Sequence, residues 1–395
     1  GGVVAAPDWI LPVFIFAFGC CIGSFLNVVV YRLPRDKSLV TPPSACPACG
    51  RGIMFYDNIP LVSWLVLGAK CRYCKAPISP RYFIIELLTG AVFVGLFFIY
   101  FRFGLRSGME SFFGGGWFVY LIHISLLACL IAASAIDLEL WVIPMAICWF
   151  ATAVGLAGSA VAGYIIDPQL IRGYYLLPTT SDLVFKEATV ASLALGSTIG
   201  LGISMVLAAA GVIKRSYESA PAEGENLAGN QEKQDQQQFN HRLEVCREIL
   251  FLLPIIVCAW AALEISRTNL TISTWWVNFS QHPFVAGLMG SLWGYFVGCG
   301  IVWATRILGT LGFGKEAMGL GDVHLMGAAG AVVGPVSVVV AFFIAPFFGL
   351  AWAGVQSLSK KIRQIPYGPF LSLGVFAVMI LHDSIFNFLA GMFYR

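Results

Sequence analysis

The chain has 395 residues, of which 58% are hydrophobic and only 11% are charged. Soluble globular domains carry roughly 25% charged residues, so this composition excludes an ordinary soluble protein, a disordered chain and a small disulfide scaffold. The formal net charge of +3 arises from 24 basic and 21 acidic residues, and it gives no reason to expect nucleic acid as a partner. The composition therefore predicts a polytopic membrane protein within a lipid bilayer.

Ten apolar runs approach the length of about 20 residues that a lipid-spanning helix needs. They lie at 9–31, 82–101, 117–137, 141–163, 188–213, 248–266, 283–308, 323–336, 337–358 and 370–392. The run at 323–336 is the weakest of them because it meets Gly334-Pro335. The predicted fold class is an all-α polytopic membrane protein with about ten transmembrane helices. The first run has no small-residue cleavage site, so we expect a retained span rather than a signal peptide.

Basic residues are concentrated in the loop that follows the first span. The loop contains only two acidic residues, Asp36 and Asp57, and its Lys and Arg residues are Arg32, Arg35, Lys37, Arg51, Lys70, Arg72, Lys75 and Arg81. Lys and Arg accumulate in cytoplasmic loops, so we predict a small cytoplasmic loop domain at 32–81. Alternation of the spans then places both termini outside and further basic residues inside, namely Lys214, Arg215, Arg306, Lys315 and the cluster at 360–363.

Two C-x-x-C pairs lie in this loop, formed by Cys46 with Cys49 and by Cys71 with Cys74. Tetrahedral zinc is satisfied by four thiolates, and paired knuckles supply two sulfurs from each tight turn. Such a zinc ion would be structural, because four protein sulfurs leave no open coordination position. A reducing cytoplasm disfavours disulfides, and redox-active or unpaired thiols are the alternative.

Two aspartates lie near the ends of predicted spans. Asp137 closes the third span, and Asp322 follows Gly319 and Gly321 in a G-x-G-D segment that opens the eighth. The topology predicts both at the cytoplasmic ends of their helices, where a carboxylate pair could share a proton and activate water. The glycines would let the backbone unwind and an extended substrate approach. The alternative is that each carboxylate is simply solvated at the interface.

The order of these motifs resembles the bifunctional type IV prepilin peptidases, which are membrane aspartyl peptidases with a second, N-methyltransferase activity. The segments that carry the resemblance are 23–34 (GSFLNVVVYRLP), 57–64 (DNIPLVSW), 78–82 (ISPRY), 86–90 (ELLTG), 133–137 (ASAID), 316–322 (EAMGLGD) and 366–371 (PYGPFL). Two positions depart from the family pattern, Met145 after the Ile-Pro pair and His324 two residues after Asp322. Neither departure removes a catalytic group.

The resemblance also implies a division of the chain. It assigns 1–31 to the first span, 32–81 to the zinc-knuckle loop, 82–163 and 283–395 to the peptidase core, and 164–282 to an insertion. The insertion would add two spans and a polar cytoplasmic loop at 214–247, which has too little apolar surface to fold alone. This loop could dock a partner or could be a tolerated solvated insertion.

The activity that the resemblance implies has two steps. Asp137 and Asp322 would be the catalytic acid and base that remove the leader of a type IV prepilin or type II secretion pseudopilin at a Gly–Phe-like junction. The new N-terminus would then be methylated from S-adenosylmethionine, in the bacterial inner membrane and on its cytoplasmic side. No Rossmann-type glycine motif is present, so we expect the methyl donor in a groove near Asn27, Arg32, Asp57 and Asn58.

Two other classes of protein share part of this pattern. A transporter or channel could use the aspartates to carry protons or ions, which would explain the carboxylates and leave the four cysteines unexplained. A zinc-bearing membrane scaffold would explain the cysteines without any chemistry. Within the family, a peptidase that has lost methylation is a further alternative.

Overall fold

The computed structural model describes residues 9–109, 111–181, 183, 185–213, 241–358 and 366–393. Within these ranges the chain forms helices and connecting loops, with no β-strand. The helices are α1 (Ile10–Arg32), α2 (Val62–Val66), α3 (Pro80–Phe101), α4 (Trp117–Leu140), α5 (Met145–Ile165), α6 (Pro168–Gly173), α7 (Glu187–Ala209), α8 (His241–Thr268), α9 (Leu270–Ser280), α10 (Pro283–Phe313), α11 (Leu320–Val333), α12 (Pro335–Leu358), α13 (Gly368–Ile380) and α14 (His382–Phe393). The all-α prediction is confirmed.

Eight of the described helices are long and apolar enough to cross a membrane: α1, α3, α4, α5, α7, α8, α10 and α12. Each corresponds to one of the ten predicted runs. The run predicted at 370–392 is instead the pair α13 and α14, bent by 77°. The described part of the chain therefore contains eight candidate spans, or nine if the bent pair counts as one.

The run predicted at 323–336 is the 14-residue helix α11. At 1.5 Å per residue this helix is about 21 Å long, which is shorter than the roughly 30 Å hydrocarbon layer. Gly334, with φ of +87°, ends the helix immediately before Pro335. Most of its side chains are buried, so α11 is a helix enclosed by protein rather than an independent span.

Small residues bring the helices into close contact. A Cβ atom on Gly294 of α10 would lie 2.1 Å from the carbonyl oxygen of Gly330 in α11. A Cβ atom on Gly23 of α1 would lie 2.7 Å from the Cα atom of Glu86 in α3. Helices in lipid associate mainly through such close packing, because lipid chains are as apolar as the side chains. These contacts hold α11 against α10 and hold α1 against α3 at the two ends of the cysteine loop.

An ion pair shows which end of the bundle carries the cysteine loop. Arg81, in the first turn of α3, contacts Glu139 near the end of α4. The loop at 32–81 runs directly into α3, so it lies at the same end as Asp137. The predicted polar loop at 214–247 lies outside the described residues as far as residue 240, as do Lys214, Arg215 and the basic cluster at 360–363.

Candidate functional site

Asp137 lies in the last turn of α4, which ends at the left-handed residue Trp141. Its side chain is buried, with 5% of the residue exposed. The carboxylate Oδ2 accepts a hydrogen bond from the backbone N–H of Gly368, the first residue of α13, at 3.1 Å. The partial positive charge of a helix N-terminus stabilises a carboxylate, so the start of α13 offsets part of the free-energy cost of burying Asp137.

Asp322 lies in the first turn of α11, and its Oδ2 accepts the backbone N–H of Gly319 at 3.3 Å. This contact holds the carboxylate at the entrance of the helix and satisfies one of the unpaired N–H groups there. Asp137 lies within electrostatic range of Asp322. The structure therefore brings together the two aspartates that the sequence singled out.

Ile143 lies between the two aspartate-bearing segments. A Cβ atom on Gly321 would lie 2.8 Å from the Cβ of Ile143. A Cβ atom on Gly368 would lie 3.1 Å from Ile143 Cδ1 and only 2.5 Å from the Oδ2 of Asp137. Both positions therefore require glycine for close approach, which is a steric reason for the second glycine of the G-x-G-D segment and for the glycine that starts α13.

The chemistry open to this arrangement is general acid and base catalysis. Two nearby carboxylates cannot both ionise easily, so one retains a proton while the other accepts one. Tyr367, directly before α13, is also within electrostatic range of Asp322. A water molecule held between an ionised and a protonated carboxylate can attack a peptide carbonyl, and the catalytic role of the pair is a prediction on that basis.

The four predicted zinc ligands form one cluster. The sulfur atoms of Cys46, Cys49, Cys71 and Cys74 all lie within 4.8 Å of one another. The Sγ atoms of Cys46 and Cys74 are 3.8 Å apart. The two C-x-x-C pairs thus supply their sulfurs to the same point, as a tetrahedral site requires.

The two pairs adopt the same local structure. In the first turn Gly50 donates its N–H to the carbonyl of Cys46 at 2.8 Å, and in the second Lys75 donates to Cys71 at 3.1 Å. Both donors have positive φ, +69° for Gly50 and +59° for Lys75. A single antiparallel bridge closes each turn, Ala45 with Gly52 and Lys70 with Pro77. This repeated turn is the geometry of a zinc knuckle.

Two of the four thiols have pKa values shifted in opposite directions. The backbone N–H groups of Cys74 and Tyr73 lower the pKa of Cys71 to about 6. The backbone N–H of Ala76 lowers the pKa of Cys74, but desolvation and the neighbouring thiols outweigh it and raise that pKa to about 11. Four thiolates at this spacing repel one another, so a divalent cation is needed to ionise them together. The donor set therefore fits zinc.

Two of the four residues predicted to bind the methyl donor, Arg32 and Asp57, form hydrogen bonds within the cysteine loop. Arg32 donates to the carbonyls of Ser38 at 3.0 Å and Pro42 at 2.6 Å. Asp57 accepts three hydrogen bonds from Arg72 at 2.6 to 3.0 Å, which holds the pKa of this carboxyl below its usual range. Arg32 and Asp57 thus order the loop in the structure.

Asn58 closes the short turn Phe55–Asn58, and Asn27 is buried in α1. The side-chain N–H₂ of Asn27 donates to the carbonyl of Tyr82 at 3.1 Å. Its Oδ1 atom has no hydrogen-bond partner among the described residues, and neither does the buried Nε1 of Trp64. Both residues contact the start of α3, Asn27 through the carbonyl of Tyr82 and Trp64 through the ring of Phe83, and binding of the methyl donor at the four candidate residues is a prediction.

Two features of the site were missed at the sequence level. Glu86 accepts the N–H of Leu61 at 2.8 Å and so attaches the cysteine loop to α3. Arg306, counted as a charge of a cytoplasmic loop, is fully buried against Glu248. The available signal was that each of these charges falls within or beside an apolar run, where an ionisable group needs a partner.

Two family models match the chain. The model described as the Bacterial Peptidase A24 N-terminal domain matches residues 17–100, which include most of α1, the cysteine loop and nearly all of α3. The model described as the Type IV leader peptidase family matches residues 249–354, which include Asp322 and begin inside the segment predicted as an insertion. Asp137 lies between the two matched ranges.

Similar proteins carry related names. A Myxococcus xanthus protein named prepilin leader peptidase/N-methyltransferase is 43% identical over 155 residues, 39% of this chain and 41% of that protein. A Burkholderia pseudomallei protein of the same name is 32% identical over 235 residues, 50% of this chain and 71% of that protein. An Escherichia coli type 4 prepilin-like proteins leader peptide-processing enzyme is 40% identical over 147 residues, 33% of this chain and 49% of that protein. No solved structure matches the chain.

Proposed function

Because the chain belongs to the type IV leader peptidase family, we propose that it is an aspartyl endopeptidase that removes the leader peptides of type IV prepilins or type II secretion pseudopilins. The observation that carries this proposal is the convergence of Asp137 and Asp322. They come from helices far apart in the sequence, they lie within electrostatic range of each other, and Gly321 and Gly368 beside them both pack against Ile143. The similar proteins are named for leader processing, which supports the substrate class.

In the proposed reaction one water molecule lies between Asp137 and Asp322. The ionised carboxylate accepts a proton from the water as its oxygen attacks the scissile carbonyl carbon. The protonated carboxyl group then donates its proton to the leaving amine as the C–N bond breaks, which yields a free leader carboxylate and a new N-terminus. The pair titrates as a unit, so the two roles belong to the pair rather than to either residue.

The chain is a multi-pass membrane protein, and we propose that it lies in the bacterial inner membrane with the dyad facing the cytoplasm. The Arg81–Glu139 contact supports a common end for the cysteine loop and Asp137. That loop carries eight basic residues and two acidic ones, which favours the cytoplasmic side. The substrate leader would meet the dyad where membrane and cytoplasm join.

The proposed second activity is methylation of the new N-terminus. S-adenosylmethionine would supply the methyl group, and the amine of the cleaved pilin would receive it. The unpartnered Oδ1 of Asn27 and Nε1 of Trp64 support a polar ligand site between α1 and the loop. Cys46, Cys49, Cys71 and Cys74 would hold a structural zinc ion that maintains the fold of this loop.

Mass spectrometry of a prepilin incubated with the purified full-length protein and S-adenosylmethionine tests the proposal. We expect loss of the leader and gain of one methyl group. Asp137→Asn and Asp322→Asn should each reduce cleavage severely, whereas Asp167→Asn, which affects the N-cap of α6, should not. Undiminished cleavage by either dyad variant would refute the mechanism. If no prepilin is processed, proton or ion flux into liposomes would test the transporter alternative, which no comparison supports.

A further inference from the structure

A fully buried arginine lies next to the proposed dyad. The side chain of Arg306 in α10 is 0% exposed. Its Nε donates to Glu248 Oε1 at 2.7 Å, and its Nη1 donates to Glu316 Oε1 at 2.7 Å. Removing a guanidinium from water is costly unless hydrogen bonds and countercharges compensate for it. Burial of an arginine is therefore weak evidence that it stabilises the fold, and its hydrogen-bond partners are a better indication of its role.

The same Nη1 also donates to the carbonyl oxygen of Met318. This carbonyl belongs to the peptide group whose N–H, on Gly319, donates to the carboxylate of Asp322. One peptide plane thus connects the guanidinium to the aspartate, with its oxygen bound to Arg306 and its N–H directed at Asp322. The cationic donor fixes the orientation of this plane and polarises its N–H group.

The counterion of Arg306 comes from a different helix. Glu248 lies in α8 and is 2% exposed. Its second oxygen accepts a hydrogen bond from the indole N–H of Trp303 at 3.2 Å. The Trp303 ring in turn stacks on Phe251, with ring centroids 5.7 Å apart. Glu248 therefore has little freedom to move, and α8 contributes to the geometry around Asp322.

We infer that Arg306 is a positioning residue for Asp322, acting through the Met318–Gly319 peptide, and that Glu248 fixes Arg306 for this role. The inference rests on the proposed peptidase function and deepens it. Arginine suits the role because its planar group binds several acceptors in fixed directions, whereas an ammonium group is a single flexible point charge. Substitution by lysine would keep the positive charge and lose the simultaneous contacts with Glu248, Glu316 and the Met318 carbonyl.

The test compares Arg306→Lys and Glu248→Gln with the unchanged protein in lipid nanodiscs, using a purified prepilin as substrate. We expect kcat for cleavage to fall about 10- to 100-fold, because small displacements of a reacting group have effects of this size. The KM should stay within about twofold, since the substrate-binding surface is untouched. Glu187→Gln is the matched control, because it breaks the Arg172–Glu187 pair at 3.4 Å between the α6 and α7 segments and should leave kcat unchanged.

A second measurement reports the position of the loop without relying on activity. Hydrogen–deuterium exchange at residues 316–322 should be faster in Arg306→Lys, while Glu187→Gln should leave these amides as they are. Methylation of a pilin whose leader is already removed should continue in Arg306→Lys, which a general loss of folding would prevent. Thermal unfolding of each variant identifies any loss of folded protein.

The outcomes separate this inference from the proposed function. If the unchanged protein cleaves prepilin and Arg306→Lys cleaves equally fast, Arg306 has no positioning role and the peptidase proposal stands. A fall in kcat that only follows the loss of folded protein would also overturn the inference. If the unchanged protein cleaves nothing, the peptidase proposal fails. If hydrogen exchange at residues 316–322 is also unaltered in Arg306→Lys, the role of Arg306 in holding the Met318–Gly319 peptide is refuted as well.

Discussion

The carboxylate of Asp137 accepts the N–H of Gly368 at 3.1 Å, although the two residues are 231 positions apart in the chain. This bond joins the end of α4 to the start of α13 and places a buried carboxylate at a helix N-terminus. It also restricts position 368 to glycine, since the nearest atom to any side chain there would be the Asp137 carboxylate oxygen.

We expect Gly368→Ala to reduce cleavage without unfolding the protein. The new Cβ would lie 2.5 Å from Asp137 Oδ2, so the carboxylate must move. The expected fall in kcat is about 10- to 100-fold, measured with a purified prepilin. Gly95→Ala is the control, because a Cβ at that position would have no atom within 4 Å. Equal activity of the two variants would show that Asp137 tolerates displacement.

The dyad predicts non-additive kinetics. Asp137→Asn and Asp322→Asn should each lower kcat by about 100- to 10,000-fold, the usual range for loss of a general acid or base. The double variant should be no slower than the slower single variant, because the two groups act as one unit. Single-turnover cleavage measures all three rates. Multiplicative losses would indicate two independent roles and would contradict a shared proton.

The cysteine cluster predicts one zinc ion per chain. Metal analysis of the purified protein should find zinc in the unchanged chain and in Cys21→Ser, since Cys21 lies in α1 outside the cluster. Cys46→Ser and Cys74→Ser should lose most of it, because each removes one of four ligands. Zinc displaces thiol protons, so bound zinc should decrease as the pH falls. Zinc retained in both cluster variants would exclude a four-sulfur site.

The Asp57–Arg72 pair distinguishes a structural from a donor-binding role for Asp57. If Asp57 only orders the loop, Asp57→Asn and Arg72→Gln should lower methylation of a cleaved pilin equally, because they break the same ion pair. If Asp57 binds the methyl donor, Asp57→Asn should raise the KM for S-adenosylmethionine well above the value in Arg72→Gln. Steady-state methylation assays measure both quantities.

The same pair predicts a pH dependence of the loop. Arg72 lowers the pKa of Asp57 in the folded protein, so the ion pair stabilises the fold above the ordinary aspartate pKa of about 4. That contribution is lost as the pH falls through the lower, folded-state pKa. Protection factors at residues 55–74, which correct for the slower intrinsic exchange at acid pH, should fall in the unchanged protein as the pH is lowered, and this fall should be absent from Asp57→Asn. Identical acid profiles would assign the change to other groups.

Much of the fold could be predicted from local patterns. Long apolar runs predicted eight helices, because the thickness of the hydrocarbon layer demands a minimum length from each segment by itself. The cysteine knuckles were equally local, since both pairs lie within one loop and the turn geometry depends on a few neighbouring residues. The two aspartates could be proposed as candidates because any carboxylate at membrane depth needs an explanation.

Hydropathy was a poor guide where the environment of a segment decides its structure. The runs at 323–336 and 370–392 are apolar enough to be counted as spans, yet the first is an enclosed 14-residue helix and the second is bent by 77°. Arg306, near the end of the run at 283–308, was counted among the basic residues on the cytoplasmic side, and the structure buries it completely. A count of residues along one segment contains no information about the partners that neighbouring helices supply.

By itself, the sequence determined the class of protein, the apolar length of most helices, the cysteine knuckles and the identity of the candidate carboxylates. Each of these depends on properties of residues close together in the chain. Only the tertiary structure decided that Asp137 meets Gly368, that Glu86 attaches the cysteine loop, and that Glu248 and Arg306 support the peptide before Asp322. A buried polar group must find its hydrogen-bond partner within the protein, and that partner is set by how distant helices pack.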